Sequence, residues 1–387
     1  MSVPARRQVD RLGALLAAFA AAALTFLPFV VFKANRIVPG DPRSLLEVLP
    51  LTAALAAIAV VALAAFSAIR IASPRLRLAT ALLGVVVVSL ALAAAGDALT
   101  PAGNKVVRVA PGAGFWVLLC SLGLMATDAI TRLRPGPMMR VVSLLLFIGV
   151  VTLTLAHGTF DHLSVMREYA VNAVRFAHEL RQHLWLALGS LGAAIIVALP
   201  VGLLCHRVPR LRGGILGTLN LIQTIPAIAL FGILMAPLGA LAVAVPLAAS
   251  LGIRGIGTAP ALVALFLYSL LPVVANTVLG LQRVSPAAVE AARGMGMTRA
   301  QILGTIELPL AMPVILTGIR IVLVQNIGLV AIAALIGAGG LGTFIFQGIG
   351  QTAIDLVLLG ALPTVALAFS AAVLLDALVE AMDRTRP

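Results

Sequence analysis

The chain has 387 residues, of which 61% are hydrophobic and 11% charged, with a mean hydropathy of +1.12. A soluble domain carries roughly 45–50% apolar and about 25% charged residues, so a soluble enzyme, a disulfide scaffold and a disordered chain are all excluded. The net charge of +13, from 27 Lys+Arg against 14 Asp+Glu, reads as the enrichment of bases in the inner loops of membrane proteins, with no nucleic-acid partner implied. Long apolar runs, rather than alternating ten-residue segments, predict an all-α polytopic protein rather than a barrel.

A spanning helix needs about 20 mainly apolar residues. In chain order the candidates are Leu12–Phe32, Leu46–Ile69, Leu76–Ala95, Gly114–Ile130, Val141–Ala156, Leu184–Cys205, Ile215–Met235, Ala259–Leu281, Leu310–Ile336 and Ile354–Ala381, about ten in all. The first run follows Arg6, Arg7 and Arg11 and is long for a signal peptide, so an uncleaved helix is predicted. Pro237–Ile256 is apolar but interrupted by Gly239, Pro246, Gly252 and Gly255 and followed by Gly257, and reads as an interfacial or re-entrant connection. With the N-terminus inside, 17 of the 27 bases fall on inner loops and 9 on outer ones, leaving Arg320 within a span. This bias places both termini in the cytoplasm of a multi-pass protein of the cell membrane.

Residues 157–183 form the division between the first five spans and the last five. This stretch carries His157, His162, His178 and His183, paired at a spacing of five that puts partners on different helix faces. It predicts a solvated external amphipathic connector and no metal site.

The most informative segment is the inner loop 285–309. Ser285 suits a helix N-cap and Pro286 a first helical position. Gly294 and Gly296 allow a turn, Thr298 with Gln301 matches a capping box that restarts a helix, and Pro309 opens the next span. The loop therefore reads as two short helices with a bend, carrying small residues and the acid Glu290 that another protein could grip.

Glu290-Ala291-Ala292, then Gly296, then Ile306 and Leu308-Pro309 resemble, at every fixed position, the EAA loop of ABC importer permeases. The resemblance implies that Glu290, Ala291, Ala292, Gly296, Ile306, Leu308 and Pro309 form coupling helices that dock on a cytoplasmic ABC ATPase dimer. It further implies a type I permease core over residues 184–387, a second permease subunit (identical or homologous), and an extracytoplasmic solute-binding protein. Further strings, Ile222-Gln223-Thr224-Ile225-Pro226, Pro260 to Leu265 with Leu271-Pro272, Gly318-Ile319-Arg320 and Ile336 to Gly342, are similar to the osmoprotectant permeases for glycine betaine and choline. Methionine-type permeases share the Gly-Gly-Leu-Gly string and remain an alternative. Ala275-Asn276-Thr277 departs from the Arg-Asn-Thr of many relatives. Residues 1–156 look like the membrane extension of some longer osmoprotectant permeases.

Polar residues within spans mark the candidate pathway or gate: Gln223, Thr224, Pro226, Arg320, Gln325, Asn326, Gly339 and Gly340. Arg320 lies roughly 15 Å into its span, where an unpaired base is costly. Gln325 sits about 140° and Asn326 about 240° around the helix from it, so at least one of the three is an interhelical hydrogen bonder. Pro226 lacks an N–H and disturbs its helix beside Gln223 and Thr224.

There is no G-x-x-x-x-G-K-[ST], so ATP and its Mg are expected on the partner ATPase, with no cofactor, no metal and no catalytic residue on this chain. Five spans plus five could instead give the inverted repeat of an ion-coupled transporter, but the two halves share no pattern and the EAA spacing occurs once. A membrane enzyme would need a carboxylate pair, a His cluster or a Ser-His set within the spans, and none is present.

Overall fold

A computed structural model describes residues 10–35, 38–71, 73–101, 103–104 and 106–382. Arg6, Arg7, Arg36, Lys105, Arg384 and Arg386, used in the charge argument, lie outside the described residues. Among the described residues, nine helices are long and apolar enough to cross a membrane. The chain divides into two compact units, Met1–Gly136 with Leu146–Val171, and Pro137–Leu145 with Asn172–Pro387.

The first unit is built on α1 (Arg11–Phe26), α2 (Leu45–Val48), α3 (Leu51–Arg70), α4 (Pro74–Leu99) and α5 (Ala113–Leu133). Lipid tails are as apolar as Leu, so helices in a bilayer associate through small residues that allow close approach. α3 shows this directly: it buries Ala54, Ala57, Val61, Ala64, Ser67 and Ala68, a stripe at helical spacing. Leu118 and Leu122 of α5 complete the packed interior.

The expected first span is shorter than its apolar run. α1 stops at Phe26 with 16 residues, and Val30–Lys33 forms strand β1. β1 lies between β2 (Asp41–Arg43) and β3 (Arg108–Pro111), antiparallel to both. β-branched Val30 and Val31 favour the strand, and Val30 is fully buried in it.

Charges in this unit gather where helices begin and end. Asp10 caps α1, accepting from the Gly13 N–H at 3.1 Å. It also accepts from Arg77 at 2.7 Å and Arg132 at 2.6 Å, and Asp128 pairs with Arg132 at 2.9 Å. The start of α1, the start of α4 and the end of α5 therefore share one end of the unit. At the other end His162 meets Asp97 at 2.6 Å, and Arg167 donates to the carbonyls of Val107 and Asn104 at 2.7 and 3.0 Å. α6 (Pro137–Ala156) and α7 (Ser164–Arg207) continue the chain and are each divided between the units.

The second unit continues with α8 (Pro209–Thr224), α9 (Ala227–Ala244), α10 (Pro246–Ser250) and α11 (Thr258–Gln282). Then come α12 (Pro286–Gly294), α13 (Arg299–Ile302), α14 (Leu308–Ala333), α15 (Gly342–Gly350) and α16 (Ile354–Met382). Its centre is α14, packed on α11 and α16. Gly318 lets α11 approach closely: a Cβ there would meet the Pro272 carbonyl and the Asn276 Cβ at 2.8 Å each.

Three expectations change here. Ile215–Met235 is two helices, α8 and α9, separated at Ile225-Pro226, because Pro226 supplies no donor to continue the ladder. Pro237, read as the start of an interfacial connection, lies inside α9, which runs on to Ala244 before the chain turns. Residues Ser164–His183, read as a solvated helix, belong to the same 44-residue helix as Leu184–Cys205, and His183 on it is completely buried.

The Asp10 cluster gives a stability prediction. Burial alone would raise the Asp10 carboxyl, but the Arg77 hydrogen bond, the Gly13 N–H and the charges of Arg132 and Arg77 outweigh it and lower it to about 2. A folded value below the unfolded one stabilises the fold above about pH 4, and that contribution is lost as pH falls toward 2. Asp10→Ala should cost about 2 kcal/mol at neutral pH, and the deficit relative to wild type should shrink on acidification, read by thermal unfolding in lipid nanodiscs.

Candidate functional site

The loop that follows α11 folds as its punctuation demands. Ser285 stands at the N-cap of α12 with Pro286 in its first turn, although the Ser285 hydroxyl makes no capping bond. α12 runs through Gly294, so the turn is made by Gly296 alone, whose φ of 82° is the left-handed region that side chains disfavour. The capping box is present: Thr298 Oγ1 accepts from the Gln301 N–H at 3.4 Å and the Thr298 N–H donates to Gln301 Oε1 at 2.8 Å. α13 then passes into a π-helical turn, Leu303–Glu307, in which the Leu308 N–H reaches back to the Leu303 carbonyl, and α14 follows without a break.

The loop residues of the sequence motif divide by exposure. Glu290, Ala291, Gly296 and Pro309 are exposed, Ile306 and Leu308 are half-buried, and Ala292 is buried. Met295, at the bend, is 73% exposed. Sequence reasoning missed Glu307, which is buried between Ile306 and Leu308 and accepts from Arg207 of α7 at 2.6 Å. An acid inside an apolar approach to a span was the available signal.

The candidate pathway residues do not form one group. At the α8–α9 break, Gln223 Nε2 donates to the Tyr268 carbonyl at 2.7 Å, and the Tyr268 hydroxyl donates to the Ile225 carbonyl. Tyr268 of α11 thus supplies what the interrupted helix lacks. Thr224 is exposed and turns its hydroxyl back to the Leu221 carbonyl at 2.6 Å. Asn326 is fully buried and donates to Ser190 of α7 and Ser269 of α11, both at 3.0 Å. It is therefore an interhelical hydrogen bonder, while Gln325, next to it, is half-buried.

Arg320 is ion-paired to Asp376 of α16. Asp376 also accepts from Arg140 of α6 at 2.9 Å, and Arg140 reaches Glu380 at 3.0 Å. The base that the sequence left alone in a span thus has an acid from the last helix, one that sequence reasoning did not single out.

Beyond α14, Ala334–Ile336 forms a 3-10 turn, and Gly337, Gly339 and Gly340 all have positive φ. At Gly340, φ is 88° and the N–H donates to Glu179 at 2.7 Å. Gln182 Nε2 donates to the Ala338 carbonyl at 3.1 Å. His183 Nδ1 accepts from the Leu341 N–H at 3.3 Å, so its Nε2 is the donor to the Ile327 carbonyl at 3.0 Å. Arg175 lies over the Phe344 ring at 5.2 Å and donates to Gln347 at 2.8 Å. Among the described residues no group of His, Cys, Asp and Glu is arranged to hold a metal ion.

Residues 10–166 match the N-terminal domain of the ABC transporter permease YehY. Residues 191–386 match the binding-protein-dependent transport system inner membrane component family. The chain is 46% identical over 191 residues to the osmoprotectant import permease protein OsmW of Salmonella typhimurium, covering 49% of this chain and 84% of the relative. It is 38% identical over 187 residues to the carnitine transport permease protein OpuCB of Listeria monocytogenes (48% and 78%). It is 36% identical over 220 residues to the choline transport system permease protein OpuBD of Bacillus subtilis (57% and 90%). An inward-facing structure of the MetNI methionine ABC transporter is 25% identical, with a TM-score of 0.45, over 54% of this chain and 96% of that one. The ATPase of such systems is a separate subunit, and this chain belongs to the binding-protein-dependent inner membrane components, the permease subunits of ABC importers.

Proposed function

We propose that the chain forms the solute pathway of an ATP-driven importer for compatible solutes of the glycine betaine, choline and carnitine class. The functions of the relatives, osmoprotectant import and carnitine and choline transport, support that solute class. The observation that carries the coupling role is the loop itself, with Glu290, Ala291 and the Gly296 turn presented outward. Ile306, Leu308 and Pro309 lie where the π-helical turn runs into α14. A cytoplasmic ABC ATPase dimer, holding ATP and Mg, grips this loop. A second permease, identical or homologous, pairs with this one, and an extracytoplasmic binding protein delivers solute. Both termini and the loop lie in the cytoplasm, as the bias of bases predicts.

Residues 1–156 form a membrane extension, and residues 184–387 the permease core. Discontinuous helices place polar groups at the depth where transporters bind substrate. The α8–α9 break with Gln223, Thr224 and Pro226 is accordingly the candidate passage, together with Gln325 on α14. Arg320, held by Asp376, is a gate element whose charge is compensated in this state, and Asn326 fixes α7, α11 and α14 around the passage. Gly339 and Gly340 form the gate at the far end of α14.

Two outcomes test this reading. A branched side chain in the left-handed region costs roughly 1–2 kcal/mol, so Gly296→Val should displace the bend and lower solute moved per ATP about tenfold while membrane insertion is retained. Normal transport by that variant would remove the coupling role. In proteoliposomes containing the ATPase and binding protein, labelled glycine betaine, choline or carnitine should accumulate with ATP. Uptake of methionine instead would assign the alternative solute class.

A further inference from the structure

The longest helix of the second unit touches both ends of its central span. α7 pairs Arg207 with Glu307 where α14 begins. Midway, Ser190 holds Asn326. Farther along, His183 donates to the Ile327 carbonyl. Past the end of α14, Gln182, Glu179 and His183 take the Ala338 carbonyl and the Gly340 and Leu341 N–H groups. α7 and α14 thus run antiparallel and are pinned together at several heights.

These polar contacts carry weight because the apolar ones between them do not fix a register. In lipid, Leu against Leu is matched by Leu against an acyl chain, so small residues and hydrogen bonds decide how two helices are aligned. The side chains of Glu307 and Glu179 retain only 6% and 11% of their exposure. Such carboxylates remain buried only with partners. The pair at one end joins a π-helical turn, a form that recurs at functional sites and lets a helix yield locally. The pair at the other end closes a backbone of three left-handed glycines.

We propose that α7 is a strut that ties the coupling loop to the glycine-rich loop at the far end of α14, with Arg207 and Glu179 as the positioning residues at its two ends. Arg207 and Glu179 are separated by roughly 40 Å at about 1.5 Å rise per residue. A shift of the loop at the π-helical turn moves Glu307. Arg207 then carries the shift into α7, and Glu179 with His183 passes it to Gly340 and Leu341. The proposal rests on the coupling role given to the loop, since that role supplies the movement to be transmitted.

Hydrogen exchange by mass spectrometry on the full-length protein in lipid nanodiscs, without ATP, tests the strut separately from that role. Glu179→Ala removes the Gly340 acceptor and should raise exchange in the peptide spanning 337–344 about tenfold. Arg207→Ala, at the opposite end, should raise exchange in the same peptide about threefold or more. The charge-swapped double variant R207E/E307R should return it to the wild-type rate, which guards against a single variant that merely misfolds. Exchange at 337–344 that is unchanged by Arg207→Ala, with faster exchange confined to 303–310, would overturn the proposal. So would failure of the swapped pair to restore the rate. Normal transport by Gly296→Val would remove the coupling role without altering this result.

Discussion

A polypeptide within an apolar layer must satisfy every backbone N–H and C=O inside itself. Uninterrupted helices do this by their own ladder, and this chain departs from such helices at chosen places. At Ile225-Pro226 the ladder is cut, and the Tyr268 hydroxyl takes the freed carbonyl while Gln223 bonds the backbone of Tyr268 in return. Past α14 the left-handed glycines leave N–H groups that Glu179 and His183 accept. Gln223, Tyr268, Glu179 and His183, polar side chains in apolar surroundings, are therefore the partners of broken backbone. Each break is thereby fixed in one arrangement rather than left to water.

The same constraint separates the work of the two units. In the first, charge is kept at the ends: Asp10, Arg77, Asp128 and Arg132 gather where α1 and α4 start and α5 ends, and the helices between meet through alanines. In the second, charge and polarity enter the helix packing itself, at Arg320 with Asp376, at Asn326 with two serines, and at Arg207 with Glu307. A helix bundle fixed by a few strong polar contacts has discrete arrangements rather than a continuum, which is what an alternating-access device requires.

Much of this was legible from residues. Spans such as Leu76–Ala95 and Gly114–Ile130 follow from apolar length, and their helices extend only a few residues further. The bent loop 285–309 was legible because Pro286, the Thr298–Gln301 box and Pro309 are strong local signals, although Gly294 makes no turn and Ser285 no capping bond. Within Ile215–Met235 the sequence showed a disturbance at Pro226 but not the split into two helices, because hydropathy measures composition and is indifferent to a missing hydrogen bond. Val30–Lys33 was lost for the same reason, an apolar run being helix or strand by hydropathy alone. Arg320 announced itself as a costly base, but its partner lies 56 residues away in sequence, beyond any spacing rule. The burial of His183 depends on α14 and the Leu341 N–H, so a reading confined to its own helix face placed it in water.

In the proposed function the bent loop between α11 and α14 is the handle by which an ATPase drives this permease. Met295, exposed at the bend, is the direct probe: with Cys120 and Cys205 replaced, Met295→Cys should cross-link to the ATPase subunit in the assembled complex, and the yield should change when ATP is added. Absence of that cross-link, with an equivalent cysteine elsewhere on the permease capturing the ATPase instead, would rule the loop out as the handle.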